Sequence, residues 1–457
     1  MLPGKFPVSS GWLPLKRVRR TGRLPASPPI VLAGGFIVLI ALGTLLLLLP
    51  FASREPVSVL SALFMATSAV TVTGLTVLDV GAHLTGFGQI VLLLLVQIGG
   101  LGFVTLAVVA VLALGRRISL RQQGIILEAF NQTSVASIRK TAFAVFRLAF
   151  LIELLAIVVL FLYWLPSAGW GQALYRAFFH SIMAFNNSGF ELHGTALAQY
   201  VDAPIPILVT TALIILGGVG VFVLQDIQEK WRWKRLTVYT RSIIIATISL
   251  NVLGFLLIWL FEHNNSATLG ELSVKGQALA AWLQSVTART AGFTSIDVSQ
   301  LHDSSTLIML LYMFIGGGSL STASGIKVGT FVVLVFAAIA FLRGRSEVVL
   351  FKRSIAPQTV QKALALLLLT SGIAFIGILL IVILEDKPFL SLVFEVVSAL
   401  STTGMTRNLT PELGGPAQVL LMVLMFVGRL GPLTFIYSLS TQKQSLVAYP
   451  QTPYHVG

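Results

Sequence analysis

A short glycine-containing stretch occurs four times in this chain, each time directly after a short apolar segment. The stretches are centred on Gly74, Gly189, Gly292 and Gly404. A second glycine cluster follows each of them, beginning at Gly99, Gly217, Gly316 and Gly428. The implied repeat of roughly 110 residues is longer than solenoid repeats, which run to about 50. The pattern therefore predicts four copies of one structural unit.

Composition places the chain in a membrane. Of its 457 residues, 56% are hydrophobic and 11% are charged, with a mean hydropathy of +0.90. Soluble domains carry about 25% charged residues. The absence of cysteine excludes disulfides and cysteine-based metal or redox sites. We attribute the net charge of +14 to membrane topology and expect no nucleic-acid partner, and we expect no cleavable signal peptide.

Eight apolar segments are predicted to span the membrane, which needs about 20 residues for each crossing. They cover residues 30–49, 87–114, 141–165, 205–224, 242–261, 307–341, 363–384 and 417–439. Shorter apolar segments lie between the members of each pair, at residues 57–67, 173–184, 278–288 and 390–400. We interpret these as half-helices that enter the membrane and turn back, which requires backbone that is buried or lines a wet cavity.

Basic residues set the expected orientation. Most of the 31 Lys and Arg residues lie in the N-terminal tail or between repeats, whereas Arg289 and a few others are assigned to the opposite side. The positive-inside rule then puts both termini and the inter-repeat loops in the cytoplasm. The predicted fold is an all-α polytopic membrane protein with four parallel span–half-helix–loop–span repeats around a pseudo-fourfold central pore. Its divisions are a tail at 1–29, repeats at 30–115, 141–225, 242–342 and 363–440, cytoplasmic loops at 116–140, 226–241 and 343–362, and a tail at 441–457.

The glycine stretches suggest a cation pathway. Four half-helices pointing their C-terminal ends at one axis would place partial negative charge there. Carbonyl oxygens on that axis can replace the hydration shell of a monovalent cation, and glycine permits the backbone conformations this needs. The alternative is that the glycines only permit close helix packing.

In the order and spacing of its motifs, the chain resembles the membrane subunits of Ktr potassium uptake systems in the Trk/Ktr/HKT superfamily. The resemblance rests on residues 72–75, 97–103, 185–190, 289–293, 321–327 and 428–434. It implies a homodimer with one potassium pore per subunit, in a bacterial plasma membrane. It also implies a cytosolic ring of nucleotide-binding RCK subunits, switched by ATP and ADP, and activation by sodium. No nucleotide motif or other cofactor site is expected in this chain.

The resemblance assigns one potassium filter to the four stretches. The expected filter residues are Val72, Thr73, Gly74, Asn187, Ser188, Gly189, Thr290, Ala291, Gly292, Thr402, Thr403 and Gly404. Plant relatives that prefer sodium carry serine at the first filter glycine, so Gly74 favours potassium. Thr403 and Met405 depart mildly from the Val and Leu expected in closer relatives.

A segment within 307–341 is too rich in glycine and hydroxyl residues for a helix interior, where each glycine costs about 1 kcal/mol against alanine. We predict a break there, with a kinked helix as the alternative. The segment matches the family's intramembrane gate loop, residues 316–329. Its expected gate residues are Gly316, Gly317, Gly318, Ser319, Ser321, Thr322, Ser324, Gly325 and Lys327.

Arg429 lies deep in the last predicted span, where a charge by default indicates function. One interpretation has it facing the pore and contacting the gate loop. The other is a structural partner, either Glu395 or half-helix carbonyls. Lys327 either takes part in gating or extends its amine toward the cytoplasm, and Glu153 is expected to be structural.

No enzyme motif is present, and the six histidines show no metal-ligand spacing. We therefore predict a transporter and not an enzyme. The rival interpretation is a carrier that couples potassium to sodium or protons. The acidic residues lie mostly at span ends or outside, which favours a channel-like pathway. The basic loops are expected to contact anionic lipid or an acidic partner ring.

Overall fold

Helices form nearly all of the secondary structure. The computed structural model describes residues 28–101, 135–192, 197–319 and 321–431, and within them it contains 15 α-helices, a few short 3-10 turns and one β-hairpin. The predicted tail at 441–457 lies outside these residues, as do nearly all of the tail at 1–29, most of the loop at 116–140 and the end of the last predicted span.

The elements follow the predicted repeat order. Repeat 1 contains α1 (Pro28–Leu47), α2 (Val59–Val70), α3 (Val80–His83) and α4 (Gly86–Gly100). Repeat 2 contains α5 (Val135–Ala168), α6 (Trp170–Phe185), α7 (Pro204–Val219) and α8 (Val221–Lys230). Repeat 3 contains α9 (Val238–Glu262), α10 (Val274–Thr287), α11 (Asp303–Phe314) and α12 (Val328–Leu342). The hairpin of β1 (Val348–Leu350) and β2 (Arg353–Ile355) precedes repeat 4, which contains α13 (Pro357–Leu384), α14 (Phe389–Ser401) and α15 (Gly415–Leu430).

Each repeat has a short helix where a half-helix was predicted. These helices, α2, α6, α10 and α14, have 12, 16, 14 and 13 residues, fewer than the roughly 20 needed to span. Serine side chains cap two of them, because Ser58 accepts a hydrogen bond from the Ser61 amide and Ser273 from the Gly276 amide. Among the described residues, three helices, within α5, α9 and α13, are long and apolar enough to cross a membrane by themselves, and α7 with α8 forms one further, bent candidate.

The four repeats close into a ring. The second span of each repeat packs against the half-helix of the next, as α4 does on α6, α7 on α10 and α11 on α14. The final contact, α15 on α2, joins repeat 4 to repeat 1. Phe64 of α2 and Val396 of α14 share one buried apolar cluster with residues of α13 and α15. This order confirms the pseudo-fourfold arrangement expected from the repeats.

In repeats 1, 2 and 4, the second glycine cluster brings a span against the end of its own half-helix. Side chains added at Gly99, Gly217 or Gly428 would collide with the backbone of Val70, Phe185 or Leu400, respectively, at or next to the last turn of α2, α6 and α14. These glycines therefore serve close helix packing. Repeat 3 differs, because Gly316 is packed instead against Ser324.

The span predicted at 205–224 is not straight. It breaks between α7 and α8 with a bend of 94°, and Gly220 at the break has φ +93°. In a continuous helix the Gly218 carbonyl would accept a hydrogen bond from residue 222. Here it accepts one from the amide of Gly318, at 2.7 Å. The sequence analysis does not predict this break, because the backbone partner comes from another repeat.

The break predicted in repeat 3 is confirmed as a non-helical segment between α11 and α12, so the kinked-helix alternative is wrong. A feature that the sequence analysis did not predict is the β-hairpin in residues 343–362. Its turn residues, Phe351 and Lys352, have φ of 48° and 64°. Two positive φ values in a two-residue turn suit the twist of a hairpin.

Glu395 of α14 offers a test of the packing around the fourth half-helix. Its carboxylate is fully buried and accepts hydrogen bonds from the hydroxyls of Thr406 and Thr410, each at 2.5 Å, and from the Arg407 amide at 3.2 Å. Glu395→Ala would leave these donors unpaired, at about 1–3 kcal/mol each. We expect the apparent melting temperature of the detergent-solubilised protein to fall by several degrees.

Glu412→Ala is the matched control. Glu412 forms an exposed ion pair with Lys387 at 2.8 Å, and its hydrogen bond and negative charge raise the pKa of Lys387. Exposed pairs contribute little to stability, so this control is expected to leave the melting temperature unchanged. Equal shifts in the two variants would contradict a bracing role for Glu395.

Candidate ion pathway

The four glycine stretches meet around one axis. A Cβ atom built on Gly74 would lie 2.6 Å from the Gly189 nitrogen, and one built on Gly189 would lie 2.8 Å from the Gly292 carbonyl carbon. The contacts continue from Gly292 to Gly404 and from Gly404 back to Gly74. We call these four residues the glycine ring. Any side chain on the ring would overlap backbone, which cannot move aside as the end of a flexible side chain can.

The backbone before each ring glycine has the same unusual conformation. The residue two positions earlier has positive φ in all four repeats: Val72 at 57°, Asn187 at 58°, Thr290 at 74° and Thr402 at 50°. Three of these side chains are β-branched, for which this conformation is a true outlier. It costs about 1–2 kcal/mol per residue and is found at sites where the surrounding structure enforces it. The predicted filter residues are thus held in a strained backbone.

Hydrogen bonds hold these stretches behind the ring. The amides of Thr73, Ser188 and Thr403 donate to carbonyls of α2, α6 and α14 at 2.8, 2.9 and 2.8 Å. Repeats 1 and 4 each add a hydroxyl pair at 2.8 Å, Thr71 with Thr73 and Ser401 with Thr403. The non-glycine filter residues are all buried. The amides of Thr73, Ser188 and Thr403 and the hydroxyls of Thr73 and Thr403 therefore bond away from the ring, which leaves backbone carbonyls available to face the axis.

The ring is suited to a monovalent cation. Half-helices α2, α6, α10 and α14 all end beside it, and helix C-termini carry partial negative charge. In the described part of the chain, no three His, Cys, Asp or Glu side chains form a group that could hold a metal ion. Backbone carbonyl oxygens arranged around such a ring can coordinate a monovalent cation, as in known cation filters.

The glycine-rich loop lies against the filter stretch of repeat 2. The Thr322 hydroxyl donates to the carbonyl of Phe185, the last residue of α6, at 3.2 Å. The Thr322 amide donates to the Gly217 carbonyl at 3.3 Å. On the far side, the Ser319 amide donates to the Tyr239 hydroxyl at 2.9 Å. Leu320 lies outside the described residues.

The remaining loop positions shape the loop itself. The Ser321 hydroxyl donates to the Gly318 carbonyl at 2.7 Å, and Gly325 has φ +70°. Where the loop starts and ends, the Gly316 amide donates to the Ile326 carbonyl at 2.9 Å and the Val328 amide to the Gly317 carbonyl at 2.9 Å. These bonds draw the two ends together into a narrow neck.

Arg429 connects the loop to repeat 1. Its guanidinium donates to the carbonyls of Gly99, at 2.5 Å, and Gly100, at 3.1 Å, and also to the Thr322 carbonyl and the Ser324 hydroxyl. The alternative partner, Glu395, is wrong, because that carboxylate bonds Thr406, Arg407 and Thr410. Arg429 therefore contacts the loop, as the first interpretation expected.

Lys327 also turns toward the loop. Its amine donates to the Ala323 carbonyl at 2.5 Å, so it does not extend to the cytoplasm. Together, Lys327 and Arg429 place two basic side chains at the loop.

The sequence analysis counts Arg289 among the basic residues on the side opposite the cytoplasm and does not predict its burial. Its side chain is only 7% exposed, and it donates to the Asn251 side-chain oxygen and the Gly316 carbonyl, each at 3.1 Å. Asn251, in the middle of α9, was also missed. The sequence contained a signal for this burial. Arg289 lies only three residues before the ring glycine Gly292, so its side chain must lie beside the filter stretch.

A family model and several relatives match nearly the whole chain. The model described as TrkH, cation transport protein, matches residues 26–446. The Ktr system potassium uptake protein B of Bacillus subtilis is 43% identical, with 94% of this chain and 97% of the relative covered. The protein of the same name from Vibrio alginolyticus is 40% identical, with 98% and 97% covered. The potassium/sodium uptake protein NtpJ of Enterococcus hirae is 34% identical, with 97% and 99% covered.

A solved structure shares the fold. The crystal structure of the potassium transporter TrkH from Vibrio parahaemolyticus has a TM-score of 0.69, with 89% of this chain and 85% of that chain covered. Its 22% identity supports the likeness in fold alone. With the family match, the four-repeat ring and the apolar spans, the conclusion is that this chain is a multi-pass membrane protein belonging to the TrkH family of cation transport proteins.

Proposed function

We propose that this chain is the membrane subunit of a potassium uptake system and carries potassium through the glycine ring. The observation that carries the proposal is the repeated backbone geometry, with a left-handed residue two positions before each of four mutually contacting glycines. Such geometry suits ion coordination by backbone carbonyls. The names of the relatives from Bacillus and Vibrio support potassium as the substrate. The glycine at position 74 supports it further, on the family resemblance.

The loop at 316–329 is the proposed gate. Its bonds to α6, to the break at Gly220 and to Arg429 hold it in place between repeats. The positive charges of Arg429 and Lys327 would repel a cation leaving the ring toward the loop. Opening would require the loop to release the Arg429 hydrogen bonds together, which suits a two-state element.

Regulation is proposed to come from partners. The Bacillus and Vibrio relatives are named as proteins of a Ktr system, which supports a multi-component assembly. We propose a homodimer with a cytosolic RCK-type ring that binds ATP or ADP, and sodium as an activator. The orientation from the positive-inside rule puts both termini on the cytoplasmic side of a bacterial inner membrane, where the basic loops face the ring or anionic lipid.

A coupled symporter is the second candidate, and Glu153 is the observation that favours it. This carboxylate lies within α5, is 5% exposed and accepts a hydrogen bond from the Gln97 amide at 3.1 Å. Gln97 in turn accepts one from Asn186, next to the filter residue Asn187, at 2.5 Å. A buried carboxylate connected to the filter is what ion coupling would use.

Accumulation against a gradient separates the two candidates. In proteoliposomes held at zero membrane potential with an inward proton or sodium gradient, a passive pathway is expected to bring rubidium to equal concentrations on both sides. Accumulation above that level, lost in Glu153→Gln, would overturn the passive pathway and establish coupling.

Gly74→Ser tests the filter. A side chain there would meet the Gly189 backbone at 2.6 Å in a φ of +93°. We expect the ratio of rubidium to sodium uptake in proteoliposomes to fall by about tenfold, equivalent to about 1.4 kcal/mol of discrimination. Growth of a potassium-uptake-deficient bacterium at low potassium is expected to fall in parallel, with the partner ring co-expressed if the wild type alone fails.

Gly372→Ser is the matched control, because nothing lies within 4 Å of the added Cβ. It is expected to keep the wild-type ratio. A normal ratio in Gly74→Ser would identify Gly74 as a packing residue and refute the filter assignment.

Arg429→Gln tests the gate. Losing the charge and its hydrogen bonds to the loop is expected to raise rubidium uptake by about tenfold without any partner, since charge-assisted bonds contribute about 1.5–3 kcal/mol each. Arg429→Lys retains the charge and separates repulsion from hydrogen bonding. The exposed Arg343, changed to Gln, is the control for lost charge. Unchanged uptake by folded Arg429→Gln would contradict the gate.

A further inference from the structure

The side chain three positions before each ring glycine anchors its filter stretch by hydrogen bonds. In repeat 3 the partners of this side chain differ from those in the other three repeats. In three repeats the side chain bonds a carbonyl in the last turn of its own half-helix: Thr71 to Thr67 at 2.7 Å, Asn186 to Ile182 at 2.8 Å and Ser401 to Val397 at 2.6 Å. The equivalent residue in repeat 3 is Arg289, whose side chain reaches away from its helix. The fourfold pattern is therefore broken by one long, charged side chain.

Arg289 bridges a fixed helix and the neck of the loop. One terminal nitrogen donates to the Asn251 side-chain oxygen and the other to the Gly316 carbonyl. The Asn251 end is held, because the Asn251 carbonyl accepts a hydrogen bond from Ser285 of α10 at 2.6 Å. The Gly316 end belongs to the neck, where Ile315 and Ile326 also pair. Movement of the neck would thus displace the hydrogen-bond acceptor of Arg289, which directly precedes the filter residue Thr290.

The Arg289 guanidinium donates to two acceptors, the Asn251 side-chain oxygen and the Gly316 carbonyl, and neither carries a net charge. Among the described residues, the ion pairs are Asp226 with Lys230 and Glu412 with Lys387, so Arg289 has no carboxylate partner there. Its Nε is buried without a hydrogen bond within that same part of the chain. If Gly316 moved away, the charge would need a new acceptor nearby.

Such an acceptor lies in a small cavity beside the filter. Arg289 lines this cavity together with Asn187 of filter stretch 2 and Gly317 of the loop. The Asn187 side chain is 1% exposed, and within the described residues neither its oxygen nor its nitrogen has a hydrogen-bond partner. The cavity is thus where two filter stretches and the loop meet, with unused polar atoms around it.

We propose that Arg289 is a positioning residue that couples the gate loop to the filter. With the loop in place, Arg289 is held by Asn251 and Gly316 and fixes the stretch beginning at Thr290. When the neck of the loop moves, the guanidinium loses Gly316 and turns toward Asn187. Ion selectivity in the filter then depends on the position of the loop. This inference rests on the proposed gate.

A double-mutant cycle tests the coupling, with rubidium uptake and the rubidium-to-sodium ratio measured in proteoliposomes. Arg289→Gln is expected to raise uptake about fivefold and to lower the ratio about fivefold. In the Arg429→Gln background, where the loop is already released, Arg289→Gln is expected to change uptake less than twofold. Residues that act on one two-state element show this loss of additivity.

Arg289→Lys keeps the charge, but one ammonium cannot replace the planar two-sided bridge. We expect it to behave like the glutamine variant, and it is judged by the same criteria if the glutamine variant does not fold. Arg407→Gln is the control, since Arg407 also donates to a backbone carbonyl, that of Ser299 at 2.9 Å, but none of its hydrogen bonds to described residues reaches the loop. It is expected to keep the wild-type ratio.

The outcomes separate the two proposals. If Arg429→Gln leaves uptake unchanged, the proposed gate is wrong and the coupling falls with it. If Arg429→Gln raises uptake but the Arg289 variants do not, or if they change uptake by the same factor in both backgrounds, the gate stands and the coupling is overturned. A wild-type selectivity ratio in the Arg289 variants would equally overturn it.

Discussion

The close approach of four backbone segments at the glycine ring is the constraint on which the rest of this structure depends. Backbone can meet backbone there only because no side chain intervenes. The half-helices must then end beside the ring, and the second spans must come close behind them, which Gly99, Gly217 and Gly428 permit. The pseudo-fourfold arrangement follows from repeating this packing, with each second span also contacting the next half-helix.

Repeat 3 departs from the common pattern, and the departures are physically connected. Its second span opens into the loop, and the loop takes the Gly218 carbonyl that α7 would have used to continue as a helix. Its half-helix is followed by Arg289, which reaches the neck of that loop. Arg429, from repeat 4, holds the loop on another side. The open second span of repeat 3, Arg289 and Arg429 are thus three deviations from fourfold symmetry, and all three involve the loop.

Both of these arginines donate to neutral oxygens within the described residues. Arg429 bonds backbone carbonyls and a hydroxyl, and Arg289 bonds an amide oxygen and a carbonyl. Backbone carbonyls move with the segment that carries them, whereas a carboxylate on a rigid helix would pin the charge in one place. Positive charges bonded in this way respond to movement of the loop, which is suited to a switch.

The sequence by itself determined the repeat, the membrane class, the half-helices and the glycines at the ring, because each of these depends on local composition or on spacing along the chain. Only the tertiary structure decided where Arg289 points, why Gly220 breaks a span and which partner Arg429 takes. It also decided that Val72, Thr290 and Thr402 adopt positive φ, against their local preference. The physical reason is the same in each case: the deciding contacts come from residues distant in the chain, and their energy exceeds the local preferences that a sequence displays.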